Sequence, residues 1–208
     1  RPPMTQQNPT PTVAKVIPPP AKLPVAIFVE VFCDEAKLSR AMTMNGVNAV
    51  GVDHWRKACQ RHSPVAVIDL KDAGARRWLL DTLRNPQLAP VVWLSPPSRS
   101  LTRIRERPVS REMQKAGVPA APQLRSEVHV RGLPSQLRGV QSSLIEEENE
   151  AVDFCFEVIA TCERRQAPWL VACAASSLLW SFQEWPACVF QDIEYAASAH
   201  GGDRDKKQ

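Results

Sequence analysis

No apolar run in this 208-residue chain approaches the roughly 20 residues that a membrane helix needs: the longest, 89–94 and 169–175, fall far short. No membrane helix is expected. An excess of either charge is missing too, since the formal balance is +4, mild enough to permit contact with phosphates without arguing for it. The six cysteines (Cys33, Cys59, Cys155, Cys162, Cys173, Cys188) include no C-x-x-C pair. Most sit in apolar segments, where a thiol behaves as a small hydrophobe, so they are expected to be reduced core residues. That usage points to an intracellular setting, cytoplasm or nucleus. The N-terminus lacks the apolar stretch of a secretory signal; it opens on Arg1 instead of Met, the expectation for a piece of something longer. There is no internal repeat. His54, His62, His129 and His200 show no paired spacing to Cys or acids, so no zinc site is expected.

What is present is the composition of a globular protein, 44% apolar and 23% charged. Residues 1–24 stand apart: crowded with proline and poor in large apolar side chains, they cannot offset their ordering entropy by burial. They are expected to form a disordered, partly polyproline-like arm, a spacer in preference to a proline-recognition ligand at "IPPPAKLP". One domain is expected over 25–198, followed by a flexible tail, 199–208, at which the chain is expected to be truncated.

Within the domain the pattern alternates. "VAIFVEVF" (25–32), "NAVGVD" (48–53), "VAVIDL" (65–70) and "PVVWL" (90–94) are short β-branched runs, the pattern of strands. A helix with Leu38, Ala41, Met42 and the stop signal Gly46 follows the first. Another precedes the fourth, with Ala75, Leu79, Leu80 and Leu83 on one face. The stretch 96–137 is rich in arginine and proline with little periodicity, which predicts a long surface excursion carrying at most one irregular helix. A capping box, Ser143 with Glu146, predicts the start of a helix that lines up Ala151, Cys155, Val158 and Cys162 and closes on Arg164 and Arg165. The run Glu146, Glu147, Glu148 and Glu150 reads as its solvated start. "WLVACAA" (169–175) is a fifth strand candidate, "SSLLWSFQEW" a short helix and "ACVFQDIEY" a sixth strand. Strands separated by helices imply right-handed crossovers and a mostly parallel sheet, hence an α/β class.

The succession "FVEVFCDEAKLSRAM", "GVDHWRK", "VIDL", "LSPPSRSLTRIRE", "LRSEVHVRGLP", "LVACAASSLLW" and "GGDRDKK" resembles the S-adenosylmethionine-dependent methyltransferases, in particular proteins related to the cytosine-C5 DNA methyltransferases, from about residue 26 onward. The resemblance implies a Rossmann-like methyltransferase fold with helices on both faces of the sheet. It implies that Phe32, Cys33 and Asp34 form the turn facing S-adenosylmethionine, with Asp34 and Ala36 at two positions where the family has glycine. By the same resemblance Asp53 would meet the ribose hydroxyls with His54 or Trp55 beside the adenine, and Asp69 and Leu70 would meet the adenine. The bland reading of such strand-end acids is that they cap the following helix, as Asp72 is placed to do.

In the family the Pro-Pro corner precedes the cysteine whose thiolate attacks cytosine. Here that place holds Ser98, a hydroxyl scarcely ionised near neutrality. The family's Glu-Asn-Pro segment aligns with Ala172, Cys173 and Ala174, so the carboxyl that meets the base is missing as well. These two losses imply a degenerate, catalytically inactive relative, with cofactor binding in question. A serine hydrolase is excluded in practice because P-P-S-R-S offers no G-x-S-x-G elbow, and Cys173 in "VACAA" reads as a core cysteine. Arg99, Arg103, Arg105, Arg107 and Arg111 follow the position of Ser98, in the loop that closes on DNA in the family. Weak, non-specific contact with DNA or RNA is the functional reading of these arginines, and a solvated basic loop the plain one. Two alternatives stay open: a non-enzymatic nucleic-acid- or protein-binding module on the same scaffold, or a methyltransferase acting on an amine, which Ser95-Pro96-Pro97 keeps alive.

Overall fold

A computed structural model of the chain describes residues 23–53, 65–67, 69–103 and 108–186. The Pro-rich arm up to residue 22, His54, Arg105, Arg107, Cys59, Cys188 and the sixth strand candidate lie outside the described residues. The chain divides into two compact units: Arg1–Leu94 with Thr161–Leu170, and Ser95–Ala160 with Val171–Gln208.

The first unit is an α/β, Rossmann-like layer. Its strands are β1 (Val25–Val31), β2 (Ala49–Asp53), β3 (Val65–Val67), β4 (Leu88–Leu94) and, at the edge beside β4, β5 (Trp169–Val171), in the order β3-β2-β1-β4-β5. β1 runs parallel to both β2 and β4, and β2 parallel to β3, with Phe28 opposite Ala49 and Val31 opposite Leu94. Phe28, Val29, Val31, Val52, Val92 and Leu94 are buried, as expected where helices cover a parallel sheet and its strands read as nearly continuous apolar runs. Because β1 has β2 on one side and β4 on the other, the winding reverses at the carboxyl ends of β1 and β4. In open α/β sheets such a switch point is where ligands bind.

Two helices pack on this sheet. α1 (Lys37–Met44) lies against β1 and β2, and α2 (Ala73–Arg84) against β4. α2 follows its sequence pattern closely: Leu79, Leu80 and Leu83 are buried, and Asp72 caps it by accepting the Ala75 N–H at 2.8 Å. α1 departs from its pattern. Leu38 and Met42 are only half-buried and Ala41 is exposed, while the fully buried residue is Ser39, whose N–H and hydroxyl both donate to the buried Glu30 carboxylate at 2.7 and 2.6 Å. A polar clamp, and not an apolar stripe, fixes this helix to β1. The turn from α2 into β4 is held by Arg165, whose guanidinium donates to the carbonyls of Leu83 and Asn85 at 2.6 Å and Leu88 at 3.0 Å.

The second unit is built around α4, whose full span is Ser142–Arg165, with the short α3 (Arg111–Lys115) and, within the short helix expected at 176–185, a 3-10 helix, Leu178–Ser181. α4 starts one residue before Ser143, which therefore stands inside the first turn and not at its cap. Ala151, Cys155 and Val158 are buried as the periodicity predicts. Leu101, Val152, Leu178, Leu179 and Phe182 form an apolar core. The excursion 96–137 is not all surface: α3 is exposed, but Leu101, Leu124 and Arg125 are buried. No helix among the described residues is long and apolar enough to cross a membrane.

Candidate functional site

β1 ends in a turn whose backbone visits the left-handed region three times, at Phe32 (φ 59°), Asp34 (φ 45°) and Ala36 (φ 51°). An L-residue there costs about 1–2 kcal/mol, which is why glycine is the usual occupant. Hydrogen bonds fix the geometry. The N–H of Phe32 donates to Val52 O at 2.9 Å, that of Ala36 to Cys33 O at 2.7 Å, and that of Asp34 to the Asp53 carboxylate at 2.6 Å.

Space for the two β-carbons comes from different sources. Asp34 is exposed and its side chain needs none. Ala36 is fully buried, and its methyl is accommodated because β2 carries glycine opposite it: a β-carbon on Gly51 would lie 3.0 Å from Ala36 Cβ and 2.7 Å from Cys33 Sγ. The Ala36 methyl therefore packs against β2 and not into the open side of the turn. Cys33 is buried at the same place.

The two strand-end acids differ. Asp53 is 4% exposed and accepts the Asp34 N–H. Asp69 is exposed and folds back on its own turn, its carboxylate accepting the Lys71 N–H at 2.9 Å and its carbonyl the Asp72 N–H at 2.9 Å. That is an Asx turn leading toward α2, whose cap is Asp72. Leu70 is buried and its carbonyl accepts from Arg76 Nε.

These residues do not fit S-adenosylmethionine well. The acid that would take the ribose hydroxyls is nearly inaccessible and already bonded within the chain, and Asp34 sets a carboxylate at the turn where the ligand's own carboxylate would lie.

In the second unit, Ser98 is half-buried and its hydroxyl makes no hydrogen bond among the described residues. Two residues on, Ser100 is 3% exposed and stands in a polar knot. The Glu148 carboxylate accepts the backbone N–H groups of Arg99 at 2.6 Å and Ser100 at 2.9 Å, and the Ser100 hydroxyl. Arg125, 1% exposed, donates from Nε to Ser100 Oγ at 2.7 Å. Its other nitrogens reach Val130 O at 2.6 Å, Asn149 Oδ1 at 2.7 Å and Ile145 O at 3.0 Å, with Glu148 3.9 Å away. Burial pulls the guanidinium down to about 10, against the raising effect of Glu148, so it remains a cation at neutral pH. No buried side-chain nitrogen or oxygen lacks a partner among the described residues.

Glu148 is thus 2% exposed, a correction to the solvated acidic start expected for α4. Sequence reasoning also missed Ser100, Arg125 and Asn149.

Of the arginine tract, Arg99 and Arg111 are exposed and Arg103 pairs with Glu127. Arg131 is occupied as well: it donates to Asp153 at 2.7 Å and Glu184 at 2.6 Å, and its guanidinium lies 5.2 Å from the centre of the Phe182 ring. The segment aligned with the family's Glu-Asn-Pro offers no carboxyl. Cys173 packs against the apolar core, and the Ala174 carbonyl accepts from the Ser177 N–H and from Trp180 Nε1, both at 2.9 Å. No family model, curated protein or solved structure matches the chain.

Proposed function

We propose that the chain is a degenerate methyltransferase-like domain, related to the cytosine-C5 DNA methyltransferases, that no longer catalyses methyl transfer. What carries this reading is the pair of left-handed residues Asp34 and Ala36 at the positions where the resemblance puts glycine. Left-handed backbone is costly for alanine and tolerated by aspartate, so the buried Ala36 carries more of this argument than Asp34. Two further features support inactivity. Ser98 stands where the attacking thiolate would be, with no base hydrogen-bonded to it among the described residues, and Ala172 brings no carboxyl to a cytosine ring.

The turn does not suit S-adenosylmethionine, because Asp34 sets a carboxylate on it and Asp53 is already bonded within the chain. What remains is a binding module whose exposed arginines, Arg99 and Arg111, give weak, salt-sensitive contact with nucleic-acid phosphates, independent of base sequence. Calorimetry and filter binding test both halves. The unaltered chain is expected to bind no S-adenosylmethionine at micromolar concentration, and Asp34→Gly, which removes the charge but leaves the backbone N–H on Asp53, is expected to regain affinity only in part. Duplex retention is expected to be uniform across sequences and to vanish at moderate salt. Micromolar cofactor binding or labelled methyl transfer by the unaltered chain overturns the first half; discrimination between duplexes overturns the second.

A further inference from the structure

The turn after β4 has the chemistry of an anion receptor. Successive backbone N–H groups, those of Arg99 and Ser100, converge on one carboxylate at 2.6 and 2.9 Å, and the Ser100 hydroxyl joins them. Such a concavity of consecutive N–H donors binds oxyanions generally. Arg125 adds positive charge from behind: it is spent on Ser100 Oγ, Asn149 and two carbonyls, and its nearest approach to the Glu148 carboxylate is 3.9 Å. The carboxylate is therefore held by the turn, and the arginine holds the turn. All three side chains are at most 3% exposed, so the carboxylate, the hydroxyl and the guanidinium are held out of water.

We propose that the 98–100 turn is a preformed oxyanion site whose occupant is the chain's own Glu148, and that it accepts a small free carboxylate when that side chain is cut back. Glu148→Ala removes a CH2–COO⁻ group, so acetate restores the missing atoms. The proposal rests on geometry within one unit and does not depend on the methyltransferase reading. A further consequence is that the loop carrying Ser98 is tied down by an internal ligand from α4.

The test uses the full chain with Glu148→Ala, unfolded by denaturant in sodium acetate or in sodium chloride of equal ionic strength. The folding constant is expected to rise roughly tenfold when acetate reaches ten times its dissociation constant. The wild type is expected to show no acetate-specific change, benzoate is expected to be excluded by size, and adding Ser100→Ala is expected to weaken the acetate effect. If Glu148→Ala is unfolded in chloride, acetate or formate is expected to restore the folded state. An identical response to acetate and chloride, or a variant that stays unfolded in both, overturns the proposal.

Discussion

Replacing Gly51 with alanine probes the contact that lets the β1 turn dispense with glycine. The new methyl would stand 2.7 Å from Cys33 Sγ and 3.0 Å from Ala36 Cβ, closer than carbon and sulfur atoms pack. Cys33 has one side-chain torsion with which to move, while the Ala36 methyl is fixed to a turn whose backbone is held by the Cys33 and Val52 carbonyls. Overpacking of this kind costs about 1–3 kcal/mol, and the rigidity of Ala36 argues for the upper half of that range. Ala36→Gly alone is expected to change stability little. It relieves about 1–2 kcal/mol of left-handed backbone strain, loses about 0.8 kcal/mol of methyl burial and gives the unfolded chain about 0.4–1 kcal/mol of added entropy. Combined, the two changes move the methyl from turn to strand, so the double variant is expected to recover about 1 kcal/mol of the Gly51→Ala loss. Recovery stays partial because Cys33 Sγ still has to give way. Urea unfolding supplies the readout, as midpoint shifts at unchanged slope. A Gly51→Ala chain within about 0.5 kcal/mol of wild type, or a double variant equal to the sum of the singles, would refute the claim that Gly51 supplies the room.

The remaining predictions concern the two polar anchors outside the Glu148 site. Ser39→Ala takes a hydroxyl donor from the buried Glu30 carboxylate and is expected to cost about 1.5–3 kcal/mol, the range for hydrogen bonds to charged groups; Ser39→Thr, which keeps the donor, is expected to lose less, and equal losses would assign the effect to packing. At the Arg131 cluster, hydrogen bonding to Arg131 holds the Glu184 carboxyl below its ordinary 4.5. A carboxyl lowered on folding stabilises above its unfolded value and loses that contribution as pH falls through the folded one. The stability gap between wild type and Glu184→Gln is therefore expected to be present at pH 6 and to shrink as pH falls below the ordinary carboxyl value. With that side chain 45% exposed the gap is at most about 1 kcal/mol. A gap that is the same at pH 3 and pH 6 would remove the pair from the account.

Much of the sheet was legible because strands of a covered parallel sheet read as nearly continuous apolar runs, and β1, β2 and β4 are such runs apart from the buried Glu30 and the strand-end Asp53. α2 was legible for the complementary reason: its cap and its leucine stripe agree. β3 is Val65–Val67 against an expected run of 65–70, and at Asp69 the chain folds into a turn that leads toward α2. Of the candidate site, positions 34 and 36 stood out as departures from glycine, though their left-handed backbone was not read from the sequence. Nor was the inward packing of Ala36, since it depends on Gly51, a residue from another strand whose register no local pattern gives.

Helical arithmetic singles out Glu148 from its acidic neighbours. Read as a block, the acidic run is most simply a solvated helix start. Taken residue by residue, Ile145, Glu148, Val152, Cys155, Ile159 and Cys162 follow one another at alternating steps of three and four, the spacing of a single helical face, and all six are buried. Glu146, Glu147 and Glu150 fall off that stripe and are exposed. One carboxylate on an apolar stripe demands donors, since an unpaired buried charge is too costly to keep. The donors are two backbone N–H groups and a hydroxyl from a turn nearly fifty positions earlier in the chain. Periodicity therefore identifies which acid must be bonded, while the identity of its partners belongs to the tertiary fold. Arg125 illustrates the same division: a buried arginine needs acceptors, and four of them come from residues as far apart as Ser100 and Asn149.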